Sequence, residues 1–183
     1  MRPGQKVLVN GASGGVGTFA VQIAKALGGV VTGVCNTSQI DTVRAIGADA
    51  VIDYTREDFA ESGPRYDVIL DTGGNRPLSI LRRALAPRGT LVIVGGEGGK
   101  GKLLGGFTRG TVRAPLVSMF TSQTMKGFVA KENAGDLVAL KELIEAGKVT
   151  PLIDRTFSLE QVPDAMRYLL EGRGRKGKIV IAV

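Results

Sequence analysis

Near the start of the chain, Gly11-Ala12-Ser13-Gly14-Gly15-Val16-Gly17 sets glycines at Gly11, Gly14 and Gly17 with no bulky side chain between them. Such a turn lets backbone N–H groups approach a phosphate closely. Where a helix begins at its end, the helix N-terminus adds positive potential. The same spacing also serves tight turns that bind nothing, so the flanking elements must decide.

A second locus lies about twenty residues further on, where a dinucleotide-binding domain typically presents Asp or Glu to the ribose hydroxyls. Here the segment is Thr32-Gly33-Val34-Cys35-Asn36-Thr37-Ser38, and no carboxylate occurs until Asp41. Small polar residues leave room and donors for a 2′-phosphate, so the expected cofactor is NADP (NADPH) rather than NAD. Helix capping is the competing role for Asn36, Thr37 and Ser38. A third glycine turn, Asp71-Thr72-Gly73-Gly74, follows another apolar run and falls beside the same crevice if the strands are ordered 3-2-1-4-5-6.

Other chemistries lack their residues. The chain has no histidine and one cysteine, which removes the common zinc ligand sets, the Ser-His-Asp and Cys-His nucleophile arrangements and an internal disulfide. No metal site is expected, no catalytic residue is identified, and Cys35 reads as a small apolar filler. Gly96-Glu97-Gly98-Gly99-Lys100-Gly101-Lys102 mimics a P-loop, but Leu103 stands where a magnesium-binding hydroxyl belongs. Tyr54, Tyr66 and Tyr168 are followed four residues later by Asp58, Leu70 and Gly172, so the Tyr-Lys pair of short-chain reductases is absent. The net charge of +7 favours anionic partners. Its basic clusters carry little aromatic interleaving, and no nucleic-acid partner is expected. No apolar run reaches membrane length and the first residues lack the apolar stretch of a signal peptide, so the expected setting is cytoplasmic, with no membrane partner.

The elements that would position these turns alternate along the chain. Short β-branched runs at Lys6 to Asn10, Val30 to Val34, Ala50 to Asp53, Tyr66 to Asp71 and Thr90 to Val94 read as strands. Between them lie a helix from about Gly15 to Leu27 with Val16, Ala20, Ile23 and Leu27 on its apolar face, and a second over Ile40, Val43 and Ile46 capped by Thr37 or Ser38. A third runs through Leu78, Leu81 and Leu85, with Pro87-Arg88-Gly89 as the following turn. Gly95 to Gly110 reads as a long loop, Thr124 to Ala130 as a sixth strand, Asp136 to Ala146 and Leu159 to Leu170 as helices, and Lys178 to Val183 as a final strand. The pattern predicts an α/β, Rossmann-type doubly wound parallel sheet of about six strands with helices on both faces, in one dinucleotide-binding domain over 1–183.

Taken together, Pro3 to Gly17, Ile46-Gly47-Ala48-Asp49, Val51-Ile52-Asp53-Tyr54, Tyr66 to Asp71 and Gly177-Lys178-Ile179-Val180 resemble the cofactor domain of the medium-chain dehydrogenases and reductases, in their quinone oxidoreductase-like, zinc-type alcohol dehydrogenase-like branch. The resemblance implies that Gly14, Gly15, Val16 and Gly17 hold the pyrophosphate and that Asn36, Thr37, Ser38 and Tyr54 surround the 2′-phosphate. It implies that Val94, Gly95, Gly96, Phe128 and Val129 flank the nicotinamide end, with Arg173 approaching from the C-terminal side; Thr72 and Gly73 complete the crevice. It further implies hydride transfer between NADPH and a small-molecule quinone, enone or other activated carbonyl, and a homodimer through an edge strand near Thr124 to Ala130. The family's N-terminal catalytic domain has no counterpart in these residues. A non-catalytic nucleotide-sensing or scaffold domain is therefore the alternative expectation.

Overall fold

The β1 residues Val7, Leu8 and Val9 alternate between two buried layers, because successive side chains of a strand point to opposite faces. In the computed structural model, which describes residues 1–61, 63–74, 76–94, 114–119, 121–128, 131–172 and 176–183, both faces of the central sheet are covered. That is the usual condition of a parallel sheet.

The strands of this sheet are β1 (Lys6–Asn10), β2 (Val30–Cys35), β3 (Ala50–Asp53), β4 (Tyr66–Asp71), β5 (Leu85–Ile93) and β6 (Thr124–Gly127). All pairings are parallel and the order is β3-β2-β1-β4-β5-β6, as expected of the doubly wound class. On one face, α1 (Gly17–Ala26) and α2 (Ile40–Ala45) place Val21, Ala24 and Val43 against Val7, Val9 and Val31. On the other, α3 (Leu78–Ala84) places Leu81 and Ala84 with Leu8, Ile69, Leu91 and Ile93. Further along are α4 (Ala114–Ser118), α5 (Ala134–Glu145), β7 (Ile153–Ser158), α6 (Val162–Leu170) and β8 (Lys178–Ala182).

Several expectations are corrected. The buried face of α1 is Gly17, Thr18, Val21, Gln22 and Ala24, whereas Val16 and Leu27 are exposed. The start of the helix lies so close to the glycine turn, where a Cβ on Gly17 would fall 2.0 Å from the Gly11 carbonyl oxygen, that size and not hydrophobicity decides which residue faces inward there. Leu85 does not extend α3: it opens β5 and pairs with Tyr66, and the expected turn at Pro87-Arg88-Gly89 is an excursion in register before Thr90 pairs with Val68. The segment from Leu159 is split into a 3-10 turn and α6, with a capping box from Ser158 and Gln161 at its start. The last strand does not join the main sheet. β8 pairs in parallel with β7, which sequence reading missed, in a separate two-stranded sheet. The expected loop from Gly95 to Gly110 lies outside the described residues.

Candidate functional site

At the C-terminal ends of β1, β2 and β4, where the chain order of the sheet reverses, a crevice of about 820 Å³ opens. Its size suits an extended ligand. One wall is the glycine turn, where Gly14, Gly15 and Val16 line the opening just before α1. The N–H groups of Gly15, Val16 and Gly17 have no acceptor among the described residues, and the first turn of α1 carries no acid. Unpaired amides at the positive end of a helix make an anion site.

The glycines have separate jobs. A Cβ on Gly17 would lie 2.0 Å from the Gly11 carbonyl oxygen, so Gly17 permits close packing of α1 on the turn and does not itself line the crevice. A Cβ on Gly14 would meet only the Gly11 oxygen at 3.5 Å, so the space beyond its Cα is open. Gly11, at φ +86°, presses against Thr72 and Gly73 of the neighbouring turn, which also line the crevice. Beneath both turns, Asn10 Nδ2 donates to the fully buried Asp71 carboxylate at 2.7 Å, and the Gly74 N–H donates to the same oxygen at 3.2 Å.

The opposite wall is Cys35, Asn36 and Tyr54, with Val94 at the end of β5. Burial first, and then the Asp53 charge, push the Cys35 thiol up to about 11, so it is protonated at neutral pH and has no activated thiolate. Thr37 and Ser38 do not line the crevice. The Thr37 hydroxyl instead donates to Asp53 at 2.5 Å, and Ser38 donates to Asn36 Oδ1 at 3.0 Å. None of the three caps the following turn or helix with a side-chain bond, so the capping alternative is also absent. Asp53 accepts further from the Thr55 hydroxyl and N–H, and these bonds, led by Thr37, hold its carboxyl below the usual range.

Phe128 stands outside the crevice and is 56% exposed, its N–H bonded to the Ile93 carbonyl. Gly95, Gly96, Val129 and Arg173 lie outside the described residues. Two cations escaped sequence reading because distant segments deliver them. Arg76 lines the crevice, bonded to Asp58 at 3.1 Å and lying over the Phe59 ring. Lys178, at the start of β8, brings its ammonium within 3.3 Å of where a Gly15 Cβ would sit. It arrives there because the Gly177 N–H donates to the Ser13 carbonyl at 2.9 Å.

Comparison with known proteins places this geometry. The family model described as zinc-binding dehydrogenase matches residues 46–181. The chain belongs to the zinc-binding dehydrogenase family. It is 38% identical to the mitochondrial NAD(P)H oxidoreductase RTN4IP1 of Mus musculus, over 98% of this chain and 48% of that protein. It is 32% identical to the chloroplastic NADPH-dependent alkenal/one oxidoreductase of Arabidopsis thaliana, over 97% of this chain and 40% of that protein. Among solved structures, the quinone oxidoreductase from Coxiella burnetii superposes with a TM-score of 0.81 at 26% identity, covering all of this chain and 54% of that one. The chain thus spans about half the length of the relatives it matches.

Within this zinc-binding dehydrogenase chain the residues do not fit the metal of the family's description. There is no histidine, the single cysteine is buried with its proton retained, and no cluster of potential ligands occurs among the described residues. No helix among the described residues is long and apolar enough to cross a membrane. The relatives it matches are named as NAD(P)H, quinone and alkenal oxidoreductases and an alcohol dehydrogenase, so the chain is a domain of an oxidoreductase family.

Proposed function

We propose that this chain is the NADP(H)-binding portion of an oxidoreductase that moves hydride between NADPH and a quinone, enone or other activated carbonyl. The observation that carries the reading is the run of N–H groups at Gly15, Val16 and Gly17 with no acceptor among the described residues, at the positive end of α1, where Gly15 and Val16 line the crevice. They would hold the pyrophosphate, with Lys178 supplying a cation from behind the turn. Asn36 and Tyr54 would border the adenosine ribose, and Thr72, Gly73 and Val94 the nicotinamide half. The dinucleotide, when bound, supplies the hydride, and this chain's residues bind it, orient it and exclude water from one side.

The 2′-phosphate form is favoured because Asn36 stands where an NAD site typically carries an acid. The names of the alkenal/one and quinone oxidoreductase relatives support the electrophile class. Fluorescence titration with NADPH and NADH is the test: saturable binding is expected, tighter for NADPH, and failure of both nucleotides overturns the reading.

Binding without turnover would instead mark a nucleotide-sensing or scaffold domain. That reading draws on the lack of any histidine to act as proton donor in the crevice. NADPH oxidation with benzoquinone separates the two. β6 is the outer strand of the sheet and has a partner on one side only among the described residues, which supports a homodimer paired through Thr124–Gly127. Sedimentation of the chain reads that directly.

A further inference from the structure

We infer that Asp53, at the end of β3, is the residue that sets how this chain discriminates NADP from NAD. The inference rests on reading the crevice as a nicotinamide dinucleotide site. In such sites the discriminating group sits at the ribose 2′ position near the end of the second strand, and here that strand ends in Cys35 and Asn36 without a charge. A fixed charge stands on the next strand, directly across from Cys35.

Asp53 is the register partner of Cys35 across the β2–β3 pair, and its neighbour Tyr54 lines the crevice with its N–H donating to the Cys35 carbonyl. The Asp53 carboxylate therefore lies just behind the wall formed by Cys35, Asn36 and Tyr54. It is 5% exposed yet held in its ionised form by Thr37 and Thr55. Its charge reaches that wall, since it contributes to keeping the Cys35 thiol protonated.

Asp53 acts in two ways. It accepts the hydrogen bond of the Thr37 hydroxyl, so Thr37 has no further hydrogen to donate to a phosphate. It also places a negative charge where a 2′-phosphate, but not a 2′-hydroxyl, would be repelled. The counterweight is Arg56, 3.6 Å from Asp53 with its side chain 75% exposed; the other nearby cation, Arg44, is paired at 3.9 Å with Asp41. Because the hydroxyl of NAD is uncharged, these groups act on the ratio of the two affinities and hardly on NAD itself.

The test is the ratio of Kd for NADH to Kd for NADPH, by fluorescence, in the wild-type chain, Asp53→Asn and Arg56→Gln. Asp53→Asn should raise the ratio about three- to fivefold, and Arg56→Gln should lower it about twofold or more, the effect of one partly screened charge. A general loss of structure lowers both affinities together and leaves the ratio alone. Unchanged ratios in both variants, or a fall in Asp53→Asn, overturn the inference. If Asp53→Asn does not fold, the exposed Arg56→Gln decides, and an unchanged ratio there overturns it. Failure of the wild-type chain to bind either nucleotide is seen before any variant is made, and overturns the proposed function together with this inference.

Discussion

Substituting alanine at Gly17 and at Gly14, separately, should split the glycine turn into a packing residue and a binding residue. The ideal Cβ on Gly17 falls 2.0 Å from the Gly11 carbonyl oxygen and 2.8 Å from Ala12 Cα and carbonyl carbon. A carbon needs roughly 3.3 Å from a carbonyl oxygen, so the start of α1 would have to retreat from the turn by about 1 Å. Every atom in the way is backbone, so no side chain can rotate aside. Overpacking of this kind costs about 3 kcal/mol, the upper part of its usual range. For a domain of this size that lowers Tm by roughly 6–12 °C. At Gly14 the nearest atom to the added Cβ is the Gly11 oxygen at 3.5 Å, and the backbone φ is not positive. Gly14→Ala should therefore unfold within about 0.5 kcal/mol of wild type. Its methyl would fill the open space beside the unpaired amides, and nucleotide affinity should fall about tenfold or more, some 1.4 kcal/mol. Urea denaturation and NADPH titration of both variants, at a temperature where each is folded, read the two effects. A Gly17→Ala protein as stable as wild type, or a Gly14→Ala protein that binds as tightly, would refute the division of roles.

Lys178→Gln should weaken NADH and NADPH alike, by about two- to fivefold, and flatten the salt dependence of binding, because both nucleotides carry the pyrophosphate; titrations at low and high salt check it. Gln22→Ala should destabilise the chain by about 2–3 kcal/mol in urea unfolding, since the buried Gln22 amide both donates to the Thr150 carbonyl at 3.0 Å and accepts from its N–H at 2.7 Å. Acid should also destabilise it. At Asp49, burial raises the carboxyl, but the Lys25 hydrogen bond and charge and the Val31 N–H outweigh that, and at Asp53 the Thr37 bond leads, so both lie below their ordinary value of 3.8. A folded-state value below the unfolded one gives stability that is complete above the unfolded value and is lost as pH falls through the folded one. The urea midpoint should thus be flat above about pH 5 and fall below about pH 4, with a smaller fall in Asp49→Asn.

Much of the sheet was legible because its strands are short β-branched runs bounded by Gly, Asn and Asp, and β1, β3 and β4 begin and end where those runs do. The order of the six strands followed from the fold class, not from any residue. The face of α1 was not legible. Periodicity ranks residues by hydrophobicity, and Val16 and Ile23 outrank Gly17 and Ala24 on that scale, whereas the close approach of helix to turn selects for smallness. β7 was missed because Asp154 and Arg155 interrupt the apolar pattern of Ile153–Ser158, and Arg155 is held over the Phe157 and Tyr168 rings. In the site, sequence reading brought Asn36, Thr37 and Ser38 together as one cluster facing a phosphate. The structure turns Thr37 toward Asp53, and nothing in a linear reading shows that a carboxylate sixteen residues on accepts its hydrogen bond.

The two ends of the chain converge on the glycine turn, and this bears on how rigid the anion site is. Gly15 packs against the Gly177 carbonyl, the Gly177 N–H holds the Ser13 carbonyl, and the Lys178 N–H bonds to the Leu152 carbonyl. Gly177, at φ +68°, can be no other residue without strain, because a Cβ there would lie 2.1 Å from the Leu152 oxygen. Gln22 then ties α1 to Thr150, just before β7. The glycine turn is therefore braced from behind by the β7–β8 unit, while its own amides are left unpaired in front. These contacts hold the turn from the side away from the amides, so they add fixed points to it without using any of those amides. The Gly177-Lys178 pair thus belongs to the proposed nucleotide site as much as Gly14 and Gly15 do, although it lies at the other end of the sequence.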